Sequence, residues 1–140
     1  MASFSDGPRL NERNHNMNDK LIYLISAEPT EHESLSSYFR KHNFNCRIFD
    51  GLDSAESGIA GQTPDLIILA GSSIPSPDIC KFGTFVEQLC NAPIIALLTP
   101  LQMSIVSEMA ASENLWTAEY PISLREIRAS IAEALQELAE

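Results

Sequence analysis

Two short segments, Asp65–Leu69 and Pro93–Leu98, are close to continuously apolar, and no other feature limits the fold as tightly. A strand with one wet face alternates apolar and polar residues, whereas a strand covered on both faces has no reason to. Both runs are too short for buried helices. They therefore predict central strands with a helical layer above and below.

The remaining pattern supplies those layers. Leu21–Ser26 is a third short run rich in β-formers, and Phe44–Phe49 alternates Phe44, Cys46 and Ile48 against Asn45 and Arg47, as an outer strand would. Thr30–His42 carries Leu35, Tyr38, Phe39 and His42 at helical spacing, with Thr30 and Glu33 set as a capping box and Asn43 suited to close the helix. Leu52–Ala60 predicts a short helix weakened by Gly58 and Gly61. Pro77–Cys90 predicts a helix with Ile79, Phe82, Val86 and Leu89 inward, and Leu101–Ser112 predicts another on the spacing of Leu101, Ile105 and Met109. Leu115–Ala118 is a last strand, and Ile122–Glu140 a last helix striped by Leu124, Ile127, Ile131, Leu135 and Leu138. Five strands alternating with five helices predict a single doubly wound, five-stranded parallel sheet of α/β class, in strand order 2-1-3-4-5.

The 140 residues suit one domain, expected over 20–140, preceded by a polar, aperiodic arm over 1–19 that reads as disordered. Met17, just before the first apolar run, is a second candidate for the natural start. Net charge is −10 with nine Lys and Arg and no basic run, which argues against nucleic acid and anionic membrane as partners. Cys46, Cys80 and Cys90 have neither zinc nor redox-pair spacing, so reduced thiols in a cytoplasmic protein are expected. No apolar run is long enough to span a membrane, and no signal-peptide core is visible.

Glu28-Pro29, then Leu35, Tyr38-Phe39 and Asn43-Phe44, follow the spacing of a known first strand-to-helix loop and helix. Pro64-Asp65 with its apolar strand, Ala92-Pro93-Ile94-Ile95-Ala96-Leu97, and Tyr120-Pro121 before Leu124 and Ile127 continue the series. In this order they resemble the response-regulator receiver family, CheY-like or flavodoxin-like in fold, over residues 20–138. Receivers take phosphate from a phosphohistidine onto an aspartate, with a divalent metal held by neighbouring carboxylates. Carried over by position, the acidic pair falls on Ser26 and Ala27, with Glu28 the remaining acid. The acceptor falls on Ala70, or on Gly71 if the offset of Pro75 marks a one-residue slip. The signalling hydroxyl falls on Leu98, beside Thr99; the lysine falls on Tyr120; the aromatic switch falls on Thr117, beside Trp116. The resemblance thus implies a pseudo-receiver that accepts no aspartyl phosphate and holds no metal or other cofactor. It would act as a protein-interaction module in two-component signalling.

Two other readings compete. The mouth of the sheet, with Ser26, Ser72, Ser73 and Thr99, could hold an anion or small metabolite on hydroxyls and backbone amides, although small neutral residues filling a lost site explain it more simply. A hydrolase built on Ser72 or Ser73 lacks a base, since His15 falls in the arm and His32 and His42 in the first helix; an enzyme is not expected. The surface of helix four, strand five and helix five, with Met103, Val106, Met109, Trp116, Ile122, Arg125 and Arg128, is the expected protein interface, with a homodimer as one form of it. Most of its apolar residues, Trp116 included, are expected to belong to the core instead, since each helix needs one buried face.

Overall fold

The computed structural model describes residues 20–26, 29–42, 44–110, 112–119 and 124–139. The arm, Ala27, Glu28, Asn43 and residues 120–123 lie outside them. Strands β1 (Leu21–Ile25), β2 (Asn45–Phe49), β3 (Leu66–Ala70), β4 (Ile94–Leu98) and β5 (Leu115–Glu119) alternate with helices. These are α1 (Pro29–Lys41), α2 (Leu52–Gly61), α3 (Ser76–Leu89), α4 (Pro100–Met109) and α5 (Leu124–Ala139). All strand pairs are parallel and the order is β2-β1-β3-β4-β5, as the alternation predicts.

Alternation of side chains along each strand divides the interior in two. Tyr23, Ile25, Ile67, Leu69, Ile94, Ala96 and Leu98 meet Ala55 and Ile59 of α2, Ile79, Phe82 and Val86 of α3, and Val106 of α4. On the opposite face Ile22, Leu24, Leu66, Ile68, Ile95 and Leu97 meet Leu35 and Phe39 of α1 and Ile127, Ile131 and Ala134 of α5. Every residue of β3 and β4 is buried, which is why those two runs show no alternation. At the opposite end of the strands from the mouth, the Asp65 carboxylate accepts the Leu21 N–H at 2.9 Å, and the Asp65 N–H donates to the Leu21 carbonyl at 2.8 Å. This pair sets the β1–β3 register before the ladder begins.

Several local expectations are corrected. Gly58 does not weaken α2 without purpose: a Cβ there would stand 2.6 Å from Phe49 Cζ, so its absence lets the helix lie close against β2. Ile48, expected to face inward, is 44% exposed because it lies on the outermost strand. Leu89 sits in the last turn of α3 and is 48% exposed instead of buried. The fourth helix stops at Met109, three residues short of the expected end, and the chain turns through Ala110 towards β5. There the Asn114 carbonyl accepts the Ile94 N–H at 2.8 Å. The side chains of Leu124, Leu135 and Leu138 lie outside the described residues.

On the outer strand, the Arg47 guanidinium lies over the rings of Tyr23 (5.4 Å) and Phe49 (5.2 Å). One of its nitrogens donates to the Tyr23 hydroxyl at 3.3 Å, and that hydroxyl donates to the Gln62 carbonyl. Tyr23 is fully buried, so this polar tip needs partners, and α2 and β2 supply them. Cys46 is half-buried on the same strand; burial pushes its thiol up to about 11, against a smaller downward pull from the Arg40 guanidinium.

Two measurements test these packing assignments. Phe39 is fully buried between Tyr38 and Phe44, so Phe39→Ala is expected to cost about 3–5 kcal/mol in urea denaturation. Only the thiolate is alkylated, so Cys46 labelling in the folded protein should keep accelerating from pH 9 towards 11, whereas in denaturant it should level off near 9. Peptide mapping reads the two curves separately from Cys80 and Cys90. By the same linkage, the raised folded value stabilises the fold fully below pH 9, and this contribution is lost as pH rises towards 11.

Candidate functional site

In a doubly wound sheet, loops beyond the carboxyl ends of the strands form the natural site, and here β1, β3 and β4 end together. Ile25 is in register with Leu69, and Ala70 with Leu97, so Ser26, Ala70 and Leu98 cluster at one edge. All three are buried: Ser26 and Leu98 fully, Ala70 to within 2%. Ser26 continues the β1 ladder by donating its N–H to the Phe49 carbonyl at 2.9 Å. Ala27, Glu28 and Tyr120, the other three positions that the resemblance assigns to a phosphorylation site, lie outside the described residues.

Gly71 decides whether a neighbouring residue could take over as acceptor. A Cβ at Gly71 would stand 2.8 Å from Leu98 Cδ2 and 3.2 Å from Ile79 Cδ1. A carboxylate would therefore have to displace buried hydrocarbon on both sides. The one-residue slip left open by the sequence leads to Gly71, which has no side chain to accept phosphate and stands against buried hydrocarbon. At the described positions the donor set does not suit the magnesium ion that receivers use either, because Mg²⁺ requires hard oxygen ligands. A buried serine, a methyl group and a leucine occupy the described positions. Among the described residues no three His, Cys, Asp or Glu side chains are grouped as metal ligands.

The hydroxyl cleft is only partly assembled. An open cavity of about 700 Å³ lies at this end of the sheet, between the starts of α2 and α3. Ser73 lines it with Ile25, Leu52, Ile74 and Pro75, but Ser26, Ser72 and Thr99 do not. Ser26 is sealed in the interior, and the Thr99 hydroxyl accepts the Gln102 N–H at 3.2 Å as the N-cap of α4. Asp50, Asp53, Glu56 and Asp78 stand around the cavity against a single Lys81, a charge balance that repels an anion.

The expected interface is rearranged as well. Val106 is 1% exposed and belongs to the core, which removes it from any docking surface. Met103 is half-buried against the same core, and Trp116 is half-buried against the opposite one. Arg125 and Arg128 are exposed on α5. The apolar residues α4 shows to solvent are Leu101 (72% exposed), Ile105 (37%) and Met109 (48%). These are the residues whose spacing predicted the helix. The helix carries two apolar stripes, and Met103, Val106 and Ala110 form the one that packs inward. Both stripes repeat at helical intervals, so period alone could not say which was wet. The sequence reading also missed Gln102, which is half-buried at the start of α4. The only sequence signal for it was the Thr99-to-Gln102 spacing of a capping box.

Comparison with known proteins places this geometry. No protein-family model and no curated protein matches the chain. Solved structures do match. A response regulator receiver protein from Sinorhizobium medicae superposes with a TM-score of 0.71 at 14% identity, covering 84% of this chain and 94% of that one. The N-terminal domain of a response regulator/sensory box/GGDEF three-domain protein from Carboxydothermus hydrogenoformans gives 0.70 at 14% identity, covering 86% and 97%. The receiver domain of a signal transduction histidine kinase from Syntrophus aciditrophicus gives 0.69 at 17% identity, covering 84% and 91%. With the strand order and both helical layers in agreement, the chain has the response-regulator receiver fold, the CheY-like arrangement.

Proposed function

We propose that this chain is a pseudo-receiver: a non-enzymatic, cytoplasmic regulatory module of two-component signalling that works through protein contact and takes no aspartyl phosphate. One observation carries the reading. The acceptor end of β3 is Ala70, and the side-chain space at Gly71 is already filled by Leu98 and Ile79. Phosphoryl transfer needs a nucleophilic oxygen and a metal to offset the charge on the moving group. Ser26 and Leu98 beside Ala70 offer no replacement carboxylate.

Contact then falls to the surface. Leu101, Ile105 and Met109 lie one turn apart along α4, a row that suits the apolar face of a protein partner. Arg125 and Arg128 on α5 add positive charge to an otherwise acidic molecule. A second copy of the chain is one partner that this face would accept.

A second reading, a small-ligand sensor, is supported by the cavity between α2 and α3, while its carboxylates disfavour anionic ligands. Thermal-shift measurements with nucleotides and neutral or cationic metabolites decide it: a ligand specific to the cavity raises the melting temperature, and no shift from any of them removes the reading.

The main reading makes two predictions. Incubation with a small phosphodonor and magnesium is expected to leave the mass of the intact protein unchanged; a hydroxylamine-sensitive gain of one phosphoryl group would refute it. Leu101→Glu and Met109→Glu should shift folding stability by no more than about 0.5 kcal/mol, as exposed positions do. Both should lose the complexes formed by the wild type, including any self-association seen by sedimentation. Complexes that survive both changes would place the interface elsewhere.

A further inference from the structure

Helix α4 is weakly anchored by its own burial. Of its ten residues only Val106 is buried, and the outward row faces solvent. Its N-terminus is held by polar contacts instead, and one side chain makes most of them. The Gln102 side-chain amide donates to the Gly71 carbonyl at 2.7 Å and to the Ile74 carbonyl at 2.9 Å. Its carbonyl oxygen accepts the Thr99 N–H at 3.0 Å, while its own backbone N–H donates to the Thr99 hydroxyl at 3.2 Å. The turn it grips is closed as well: the Ile74 N–H donates to the Gly71 carbonyl, and the Gly71 N–H donates to the Leu97 carbonyl, each at 3.0 Å. Gly71 is therefore fixed to β4 through its N–H and to α4 through its carbonyl.

We propose that Gln102 is the positioning residue that ties α4 to the β3–α3 turn, so that the apolar row of α4 is presented in one constant placement without phosphorylation or ligand. The proposal rests on the pseudo-receiver reading for its functional meaning, but the clamp is measurable without any partner. A neutral amide suits the task because it donates to two carbonyls on one side and accepts an N–H on the other. Nothing in this link depends on a charge appearing or leaving. The turn that follows the acceptor position and the helix that carries the docking row are joined by it.

Gln102→Glu separates the clamp from the cap. A carboxylate still accepts the Thr99 N–H, as glutamate does in a capping box, but it cannot donate and sets negative charge against two carbonyl oxygens. Amide exchange followed by NMR reads two protons: Ile74 N–H inside the turn, and Met103 N–H, bonded to the Thr99 carbonyl at 2.9 Å in α4. In Gln102→Glu both are expected to exchange faster together, by roughly tenfold, for the loss of two hydrogen bonds. In Thr99→Ala, which removes the cap hydroxyl and leaves the amide clamp, Ile74 should keep wild-type protection. Unchanged Ile74 exchange in Gln102→Glu, or faster exchange at Met103 alone, would overturn the proposal and leave Gln102 as a cap. Gln102→Met, similar in size and without the amide, repeats the test if the glutamate variant folds poorly. Complexes that resist Leu101→Glu would defeat the docking reading while leaving the exchange result standing. Loosened exchange in Gln102→Glu with undiminished binding would defeat the positioning role alone.

Discussion

The pairing of β3 with β4 is the constraint from which the rest of the structure follows. Each of these strands has a neighbour on both sides, so their backbone groups are satisfied within the sheet. All ten of their side chains are buried. Apolar residues on both faces of a strand gain only if both faces are covered, at about 1.5–3 kcal/mol for each large side chain. The chain meets that demand with α2, α3 and α4 on one side and α1 and α5 on the other. Right-handed crossovers between parallel strands then place the loop ends of β1, β3 and β4 side by side.

The same packing accounts for the character of the site. In a phosphorylatable domain this junction must hold charges that resist burial. Here its described part lies in the hydrophobic interior, with Leu98 and Ile79 beside Gly71 and with Ser26 below the surface. An open cavity lies to one side, between the starts of α2 and α3, with four carboxylates and Lys81 around it. Across the junction, the Gln102 amide donates to the Gly71 and Ile74 carbonyls.

Much of this was legible in the sequence. Continuous runs at Asp65–Leu69 and Pro93–Leu98 marked the central strands, and the alternation of elements set the strand order. Ser26, Ala70 and Leu98, which the resemblance assigned to one site, do come together at the strand ends. Which stripe of α4 faces water was not legible, because Leu101, Ile105 and Met109 and the set Met103, Val106 and Ala110 are both apolar and both helical in period. Only the distance from α4 to the sheet decides between them. Nor could the four hydroxyls at the mouth be sorted from sequence. Burial, capping and exposure of Ser26, Thr99 and Ser73 depend on where neighbouring elements stop, and local residue type does not set that. Gln102 was missed because its two acceptors lie 31 and 28 residues away in the chain.

The Arg47 stack on Tyr23 and Phe49 bears on how the molecule behaves in a crowded solution. β2 is an outermost strand, and a free strand edge invites another chain to extend the sheet. A guanidinium resting on two rings and bonded to a phenol is a positive charge with little freedom to swing aside. A second copy approaching in register along this edge would bring its own Arg47 against the first, like charge against like. The contact that satisfies a buried tyrosine thus also sets like charge against like where two copies would meet in register along β2.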